Sequence, residues 1–424
     1  CDGAMGTMIY SRGIPFERCF DELNISLPAI VADIHRGYID AGADVIQTNT
    51  FGANRIRLGE HGLENSVVEI NQAGVELARR VVDASFKEVF VAGTVGPLGQ
   101  WLAPLGRLSR HEARKIFHEQ LEALLGAGVD LLIFDTFADI TALKEAVLSA
   151  REISSDVPII TQVTFNEDLR TALGHSPQKV VDRLATLPVD VIGINCSLGP
   201  SGVLRALRRL SQYVPERVFL TAQPNAGWPE RRAGRIMYPA TPEYFGEYAL
   251  AFVETGAKLI GGCCGTTAAH IRQMRSALDD PARHSTILTG LPGDDVDRTV
   301  PVPALESTGL ARRLKQGELV VTVEISPPKG YSAEKTLAAV QLLKTAGANT
   351  INVADSPRAR MRMSPWALCH LIQDRVGLET LLHFPTRGRN ILRIQGDLLA
   401  AHALNVRNIF AVMGDPTTIG DYPD

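Results

Sequence analysis

One join recurs along this chain: a helix-like stretch closes on glycine and alanine, and an apolar run follows at once. It reads Asp40-Ala41-Gly42-Ala43-Asp44, then Gly126-Ala127-Gly128-Val129-Asp130, then Thr255-Gly256-Ala257-Lys258. Between these joins, apolar positions at helical spacing alternate with short β-branched runs. Helices are predicted over 27–41, 63–82, 111–127, 142–152, 177–187, 202–213 and 241–255. Strands are predicted over 43–52, 88–97, 129–136, 158–166, 191–196, 218–225 and 258–263. With Asp2 counted as the tail of a first strand, eight strands alternate with helices. Such alternation demands parallel strands, and eight of them close into a (β/α)8 barrel, an α/β fold. Barrels of this kind keep their chemistry at the carboxyl ends of the strands.

The rhythm breaks at 279–310, where Pro281, Pro292, Pro301 and Pro303 stand among glycines and aspartates. This segment reads as a linker, placed at 284–306 between domains 1–283 and 307–424. A chain of 424 residues is long for one core, which agrees with two domains. Beyond the linker, strands at 319–328, 349–355, 379–385 and 407–415 alternate with helices at 335–345, 365–375 and 392–404. Four βα units make a second, partial (β/α)8 barrel, expected to be incomplete here because an open half barrel exposes apolar surface.

Composition excludes some classes. A net charge of −4, with no basic run, offers nothing to nucleic acid. No stretch approaches the roughly 20 apolar residues of a membrane span. No secretory signal is seen, and six cysteines are few for this length. Cys1, Cys19 and Cys369 read as free thiols, which points to a reducing compartment and a cytoplasmic location. Oligomeric state is left open, with a homo-oligomer among the options.

The other three cysteines stand where the barrel would place its chemistry. Cys196 follows the apolar run Val191-Ile192-Gly193-Ile194-Asn195, and Cys263-Cys264 follow Leu259-Ile260-Gly261-Gly262. Adjacent cysteines seldom bridge each other, because disulfide geometry is demanding. Three sulfurs at strand ends, with no fourth protein ligand in view, describe a Zn2+ site with one position open. A substrate thiol entering that position would lose its proton and become a nucleophile suited to attack on an activated methyl group. Hydrolytic zinc sites more often use histidine and carboxylate. The plainer readings are a structural zinc with an unseen fourth ligand, or three buried cysteines.

These residues carry a resemblance. Asp2-Gly3-Ala4-Met5-Gly6-Thr7, Gly193-Ile194-Asn195-Cys196 and Gly261-Gly262-Cys263-Cys264-Gly265-Thr266 resemble the motifs of the zinc-dependent homocysteine S-methyltransferase family, over roughly residues 1–280. The resemblance implies Cys196, Cys263 and Cys264 as zinc ligands, with homocysteine sulfur in the open position. It places Asp2 and Gly3 near the amino acid end of the substrate. Where relatives carry a glutamate, this chain has Phe134-Asp135-Thr136, so Asp135 either binds the homocysteine amino group with a shorter reach or caps a helix. Asn166, Asn195 and Asn225 also stand at strand ends, each a candidate for ligand contact or for loop shaping, and Asn195 is included among the substrate-binding candidates.

In the second half, Glu324 follows a β-branched and apolar run, where burial would raise its carboxyl pKa and suit it to general acid work, although on these residues alone an ordinary loop-end glutamate is the better reading. Val323-Glu324-Ile325-Ser326-Pro327-Pro328, Gly396-Asp397-Leu398-Leu399-Ala400-Ala401-His402-Ala403-Leu404 and Gly414-Asp415-Pro416 resemble methylenetetrahydrofolate reductase, a flavin enzyme on the same barrel. The resemblance implies FAD and NAD(P)H as cofactors, Glu324 as the acid, Asp415 near flavin and folate, and His383 beside the flavin. It covers less than half of that reductase, so a chain ending at Asp424 is expected to lack reductase activity.

The reading that follows is zinc-activated methyl transfer to homocysteine, with S-methylmethionine or S-adenosylmethionine as donor, joined to a folate reductase module. The alternative is a methionine synthase module fed by methyltetrahydrofolate or a separate corrinoid protein. Asp33-Ile34-His35-Arg36-Gly37 approaches a D-x-H-x-x-G cobalamin signature, but its glycine falls one residue early. A sensor role for the second half, or a zinc hydrolase, are the remaining readings.

Overall fold

Strand β1 spans Val45–Gln47, β2 Phe90–Val95, β3 Leu131–Phe137, β4 Ile159–Val163, β5 Val191–Asn195 and β6 Phe219–Gln223. A short antiparallel hairpin follows, β7 (Glu230–Arg232) and β8 (Arg235–Met237), which the sequence pattern does not announce, and then β9 (Ala257–Ile260). The computed structural model describes residues 1–232, 235–280, 283–287, 308–387, 389 and 391–421. Strands β1 to β6 and β9 pair side by side in chain order as one parallel sheet.

The eighth place is filled differently from the expectation. Residues 1–3 form no strand, yet they hydrogen-bond to both edges of the sheet. Asp2 N donates to Val45 O at 2.9 Å, Gly262 N donates to Asp2 O at 3.0 Å, and Cys1 N donates to Ile260 O at 2.7 Å. Two residues are too few for a ladder, but they join β1 to the end of β9 and close the ring.

Alternation along the strands sorts their side chains into two sets. Ile46, Val91, Leu132, Phe134, Ile159, Ile192 and Ile194 are buried and pack outward among the helices. Val45, Ala92, Ile133 and Ile160 form a separate apolar cluster with Leu131, Val191 and Leu259, the floor of the barrel interior. Two to four residues further along these strands the inward positions turn polar, at Gln47, Thr94, Asp135, Gln162 and Asn195, and β6 ends likewise on Gln223. The barrel is therefore plugged at one end and polar at the other, as burial of uncharged layers beneath a wet site requires.

The helices between strands start on their own signals. Ser109 and Glu112 form a reciprocal capping box at the head of the helix Arg110–Gly126, and Asn54 and Thr241 cap the helices Arg55–Gly59 and Pro242–Glu254. His35, in the rejected cobalamin-like stretch, lies fully buried in the helix Pro28–Asp40 with neither ring nitrogen partnered. Burial pushes that imidazole down to about 4, so it is a neutral core residue.

The chain divides into two compact units, Cys1–Gly293 and Asp294–Asp424. In the second, β10 (Thr322–Ile325), β11 (Thr350–Val353), β12 (Glu379–Pro385) and β13 (Asn408–Val412) form a four-stranded parallel sheet in that order. Val323, Ile325, Ile351, Val353, Leu382 and Phe384 pack against the helices Glu334–Thr345 and Pro365–Arg375. This is the share of a barrel that four βα units can build. The predicted linker, 284–306, lies outside the described residues beyond position 287. Among the described residues no helix is long and apolar enough to cross a membrane.

Candidate metal centre

The three cysteines come together. Cys196 follows β5 directly and Cys263-Cys264 follow β9, so neighbouring parts of the same barrel rim deliver them. Their sulfurs lie within 4.8 Å of one another, and Cys196 Sγ and Cys264 Sγ are 3.9 Å apart. Three corners of a tetrahedron with metal–sulfur bonds of about 2.3 Å are spaced by about 3.8 Å, so the donor set fits a zinc-sized ion. All six cysteines are free thiols.

Backbone geometry sets this up. Cys196 and Ser197 both sit in the left-handed region, at φ 57° and 54°, a conformation that costs energy for residues with a Cβ. The turn aims Cys196 back over the barrel mouth, and Leu198 N closes it on Cys196 O at 2.6 Å. At the other motif, Thr266 is the anchor. It is fully buried, donates through Oγ1 to Cys263 O at 2.7 Å and accepts from Ala4 N at 3.0 Å. A Cβ on Gly262 would stand 2.5 Å from that hydroxyl and one on Gly3 2.6 Å, so both glycines are needed for the close approach. Gly3 is thus first a packing residue, although it also reaches the cavity wall.

The three thiols titrate as one coupled group. Hydrogen bonds from Cys263 and Cys264 pull Cys196 down, to about 3. Those same contacts push Cys264 up to about 12 and Cys263 well above the usual thiol range. A cation held at their centre would favour the ionised form of all three sulfurs.

Asn195, the last residue of β5, organises the surroundings. Fully buried, it donates through Nδ2 to Asp135 Oδ1, to Thr136 Oγ1 at 2.7 Å and toward Cys263 Sγ at 3.8 Å, while its Oδ1 accepts from Thr136 N at 3.0 Å. Asp135 and Thr136 lie on a register shift between β3 and β4, with Thr136 at φ 61°. A bulge of this kind re-aims side chains at a site. Asp135 is not a helix cap: that role belongs to Asp139, whose carboxylate accepts from Thr141 N. Burial first, then the Cys196 charge, raises the Asp135 carboxyl to about 7. Asp2 lies behind the wall, 1% exposed, its carboxylate accepting from Gln47 N at 2.8 Å and Gln47 Nε2 at 3.0 Å. Burial raises it to about 6 against those two hydrogen bonds.

A cavity of about 460 Å³ opens over the thiols. Its walls include Gly3, Gln47, Thr94, Asp135, Thr136, Gln223 and the three cysteines, and also Phe16, Phe20, Asp21, Phe51, Arg57 and His61. Asp2 and Asn195 are not in the wall and act through Gln47, Asp135 and Thr136.

In the second unit Glu324 is exposed, as an ordinary loop-end glutamate would be and unlike the buried acid of the other reading. Val323 and Ile325, its neighbours in sequence, face the helices, so Glu324 faces the other way, across the open side of the sheet. Leu381 and His383 of β12 and Phe410 of β13 share that side by register, with the His383 and Phe410 rings 5.2 Å apart. His383 Nε2 is buried without a partner. Asp415 is exposed and its Oδ2 accepts from Arg358 N at 2.5 Å.

With this geometry established, comparison with known proteins is decisive. Residues 1–278 match the homocysteine S-methyltransferase family. The chain belongs to that family. Residues 309–422 match methylenetetrahydrofolate reductase, so a methyltransferase-family unit is fused to a reductase-like one. The methionine synthases of Mycobacterium tuberculosis and Mycobacterium leprae are each 34% identical to this chain over 291 and 293 residues, 65% of its length but 24% of theirs. The chain thus spans about a quarter of those relatives. Crystal structures of the homocysteine methyltransferase MmuM from Escherichia coli, in oxidised and metallated forms, align with TM-scores of 0.56 at 25% and 26% identity. Each alignment covers 65% of this chain and 94% of MmuM.

Within the methyltransferase-family unit, sequence reasoning missed Gln47, Thr136, Gln223 and Arg57. Gln47 Nε2 donates to Gln223 Oε1 at 3.3 Å, and Gln223 Nε2 is left buried and unpartnered in the cavity wall. Both glutamines lie inside predicted strands, 43–52 and 218–225, and a polar residue amid each apolar run was the available signal.

Proposed function

We propose that the first unit transfers a methyl group to the thiol of L-homocysteine, giving methionine. The observation that carries this reading is the convergence of Cys196, Cys263 and Cys264, with no histidine or carboxylate among the clustered donors, on one point at the barrel mouth. Cys196, Cys263 and Cys264 would hold Zn2+, which when bound supplies a position where a substrate thiol is kept as thiolate at neutral pH. Asp135, oriented by Asn195, takes the substrate ammonium. Asp2 fixes Gln47 at the same wall, and Gly3 lends close backbone approach. The donor is a sulfonium, S-methylmethionine or S-adenosylmethionine, because its sulfur leaves as a neutral thioether.

The second unit, on this reading, is the N-terminal part of an FAD-dependent reductase barrel of the kind that converts 5,10-methylenetetrahydrofolate to 5-methyltetrahydrofolate with NAD(P)H as electron source. The orphaned Nε2 of His383 on the uncovered side of its sheet suits a flavin edge. Glu324 and Asp415, both exposed, are the candidate acid and the candidate folate contact. Domain limits of 1–283 and 307–424 about a linker at 284–306 belong to the same reading, as does a cytoplasmic location, supported by six free thiols.

The test is methionine formation from homocysteine by zinc-loaded protein, offered S-methylmethionine and methyltetrahydrofolate in parallel, with Cys263→Ala as control. Turnover with the sulfonium, lost in Cys263→Ala, is the expected result. Turnover with folate alone would replace it with the second reading, a methionine synthase module using methyltetrahydrofolate or a separate corrinoid protein. That alternative is favoured by the 34% identity to methionine synthases across the first unit.

A further inference from the structure

The cavity over the thiols carries a second charged group that the reading above leaves unused. Asp21 precedes the helix Leu23–Ser26, and Arg57 lies on the helix Arg55–Gly59; both line the cavity. Arg57 Nε is buried and finds no partner, although an unpaired guanidinium nitrogen in a wall is costly. Asp21 uses Oδ1 to accept from Gly52 N at 2.9 Å and has no ion pair within 4 Å among the described residues. Gly52 is needed there, since a Cβ on it would stand 2.8 Å from Asp21 Oδ2.

Beyond burial and backbone hydrogen bonds, the fields acting on Asp21 come from Arg57 and His61, whereas those on Asp135 come from Cys196 and Asp2. The cavity wall thus holds Asp135 beside the thiols, and, apart from it, Asp21 and Glu60 on a stretch that also carries Arg18, Arg57 and His61. Of those two arginines, Arg18 is paired with Glu22 and Arg57 Nε has no partner. Phe16, Phe20 and Phe51 also line this part of the wall, and aromatic faces attract soft cations.

We propose that Arg57 and Asp21 form the seat for the methyl donor, binding the carboxylate and the ammonium of a sulfonium α-amino acid. The inference rests on the proposed methyl transfer and deepens it by naming the donor's recognition group. An α-amino acid end presents one anion and one cation, which is what an unpaired arginine beside an aspartate receives. Homocysteine takes the Asp135 seat. In the transfer, the homocysteine sulfur, having lost its proton, forms a bond to the methyl carbon. The bond from that carbon to the donor sulfur breaks, and its electron pair stays on that sulfur, leaving a neutral thioether.

The experiment is calorimetric titration of the full chain with S-methylmethionine, using wild type, Cys263→Ala, Arg57→Gln and Asp21→Asn. Trimethylsulfonium, which lacks both charged groups, serves as the comparison ligand. Circular dichroism melts confirm that each variant folds; Asp21→Asn keeps the acceptor for Gly52 N. Loss of one charge-assisted contact is expected to weaken S-methylmethionine binding by about 10- to 100-fold. Cys263→Ala should bind within about 3-fold of wild type, and trimethylsulfonium binding should not distinguish any of the four proteins. Unchanged S-methylmethionine affinity in both Arg57→Gln and Asp21→Asn overturns the seat while leaving methyl transfer standing. Arg57-dependent binding without methionine formation upholds the seat and sinks the transfer reading instead. Absence of S-methylmethionine binding by wild type overturns both.

Discussion

At the scale of single residues, the site depends on side chains that hold other side chains. Asn195 spends its whole amide on Asp135, Thr136 and the Cys263 sulfur. Asn195→Asp would set a second carboxylate against Asp135 and the thiolates. It is expected to weaken zinc affinity by about 10- to 100-fold, as loss of ligand-orienting partners does, read by competition with a chromogenic chelator. Asp21 gives a pH prediction. Burial raises its carboxyl to about 6, against about 3.9 in an unfolded chain. The folded protein therefore keeps a proton that the unfolded chain releases. That stabilisation is complete below about pH 4 and is lost as pH rises through about 6. Asp21→Asn, neutral throughout, should raise Tm by about 2 °C or more at pH 8 relative to wild type and give little gain at pH 4. An equal shift at both pH values would remove Asp21 as the source. Among the cysteines the sequence was readable because the motif is local. For Asp135 two roles were open, and only the position of the next helix start, capped by Asp139, separated them.

Among elements, the barrel tolerates little at β5. A Cβ on Gly193 would stand 2.1 Å from Thr221 O on β6, a backbone atom that cannot turn aside. Gly193→Ala should destabilise the first unit by about 3 kcal/mol or more and distort the Cys196 turn that follows. Chemical denaturation would show the first, and a fall in bound zinc would show the second. Helix and strand order were legible from apolar periodicity, since nearly every predicted element is present with its ends moved by a few residues. Three features were not. The left-handed pair at Cys196 and Ser197 has no glycine to announce it. The bulge at Asp135 depends on how β3 meets β4. Glu324 had two readings, a buried acid or an ordinary loop-end glutamate, and its apolar sequence neighbours could not separate them, because in a strand neighbours face opposite sides and the side Glu324 shares with Phe410 is open.

For the whole molecule, two units with separate cores predict separable responses to ligands. Zinc at about 1,000 times its dissociation constant stabilises the unit that binds it by about 4 kcal/mol. Calorimetry with added zinc should therefore raise the transition of the first unit by roughly 8–16 °C, at about 2–4 °C per kcal/mol, and leave the second in place. A shift in both transitions would show that the two unfold as one. Chelation should reverse the gain, and Cys263→Ala should not respond to the metal.

The alternation of helices and strands, the break near residue 279 and the three cysteines at strand ends are properties of neighbours in the chain. The sequence by itself determined them, together with the family they imply. Distances between strands are not local. Closure of the sheet by two residues at the chain's start, the 3.9 Å approach of Cys196 to Cys264 and the meeting of Gln47 with Gln223 join positions up to 259 residues apart. Whether an inward side chain meets another, a cavity or bulk water depends on how the ring closes and what packs around it. That is why Arg57, Asp21 and Glu324 could be placed only by the tertiary structure.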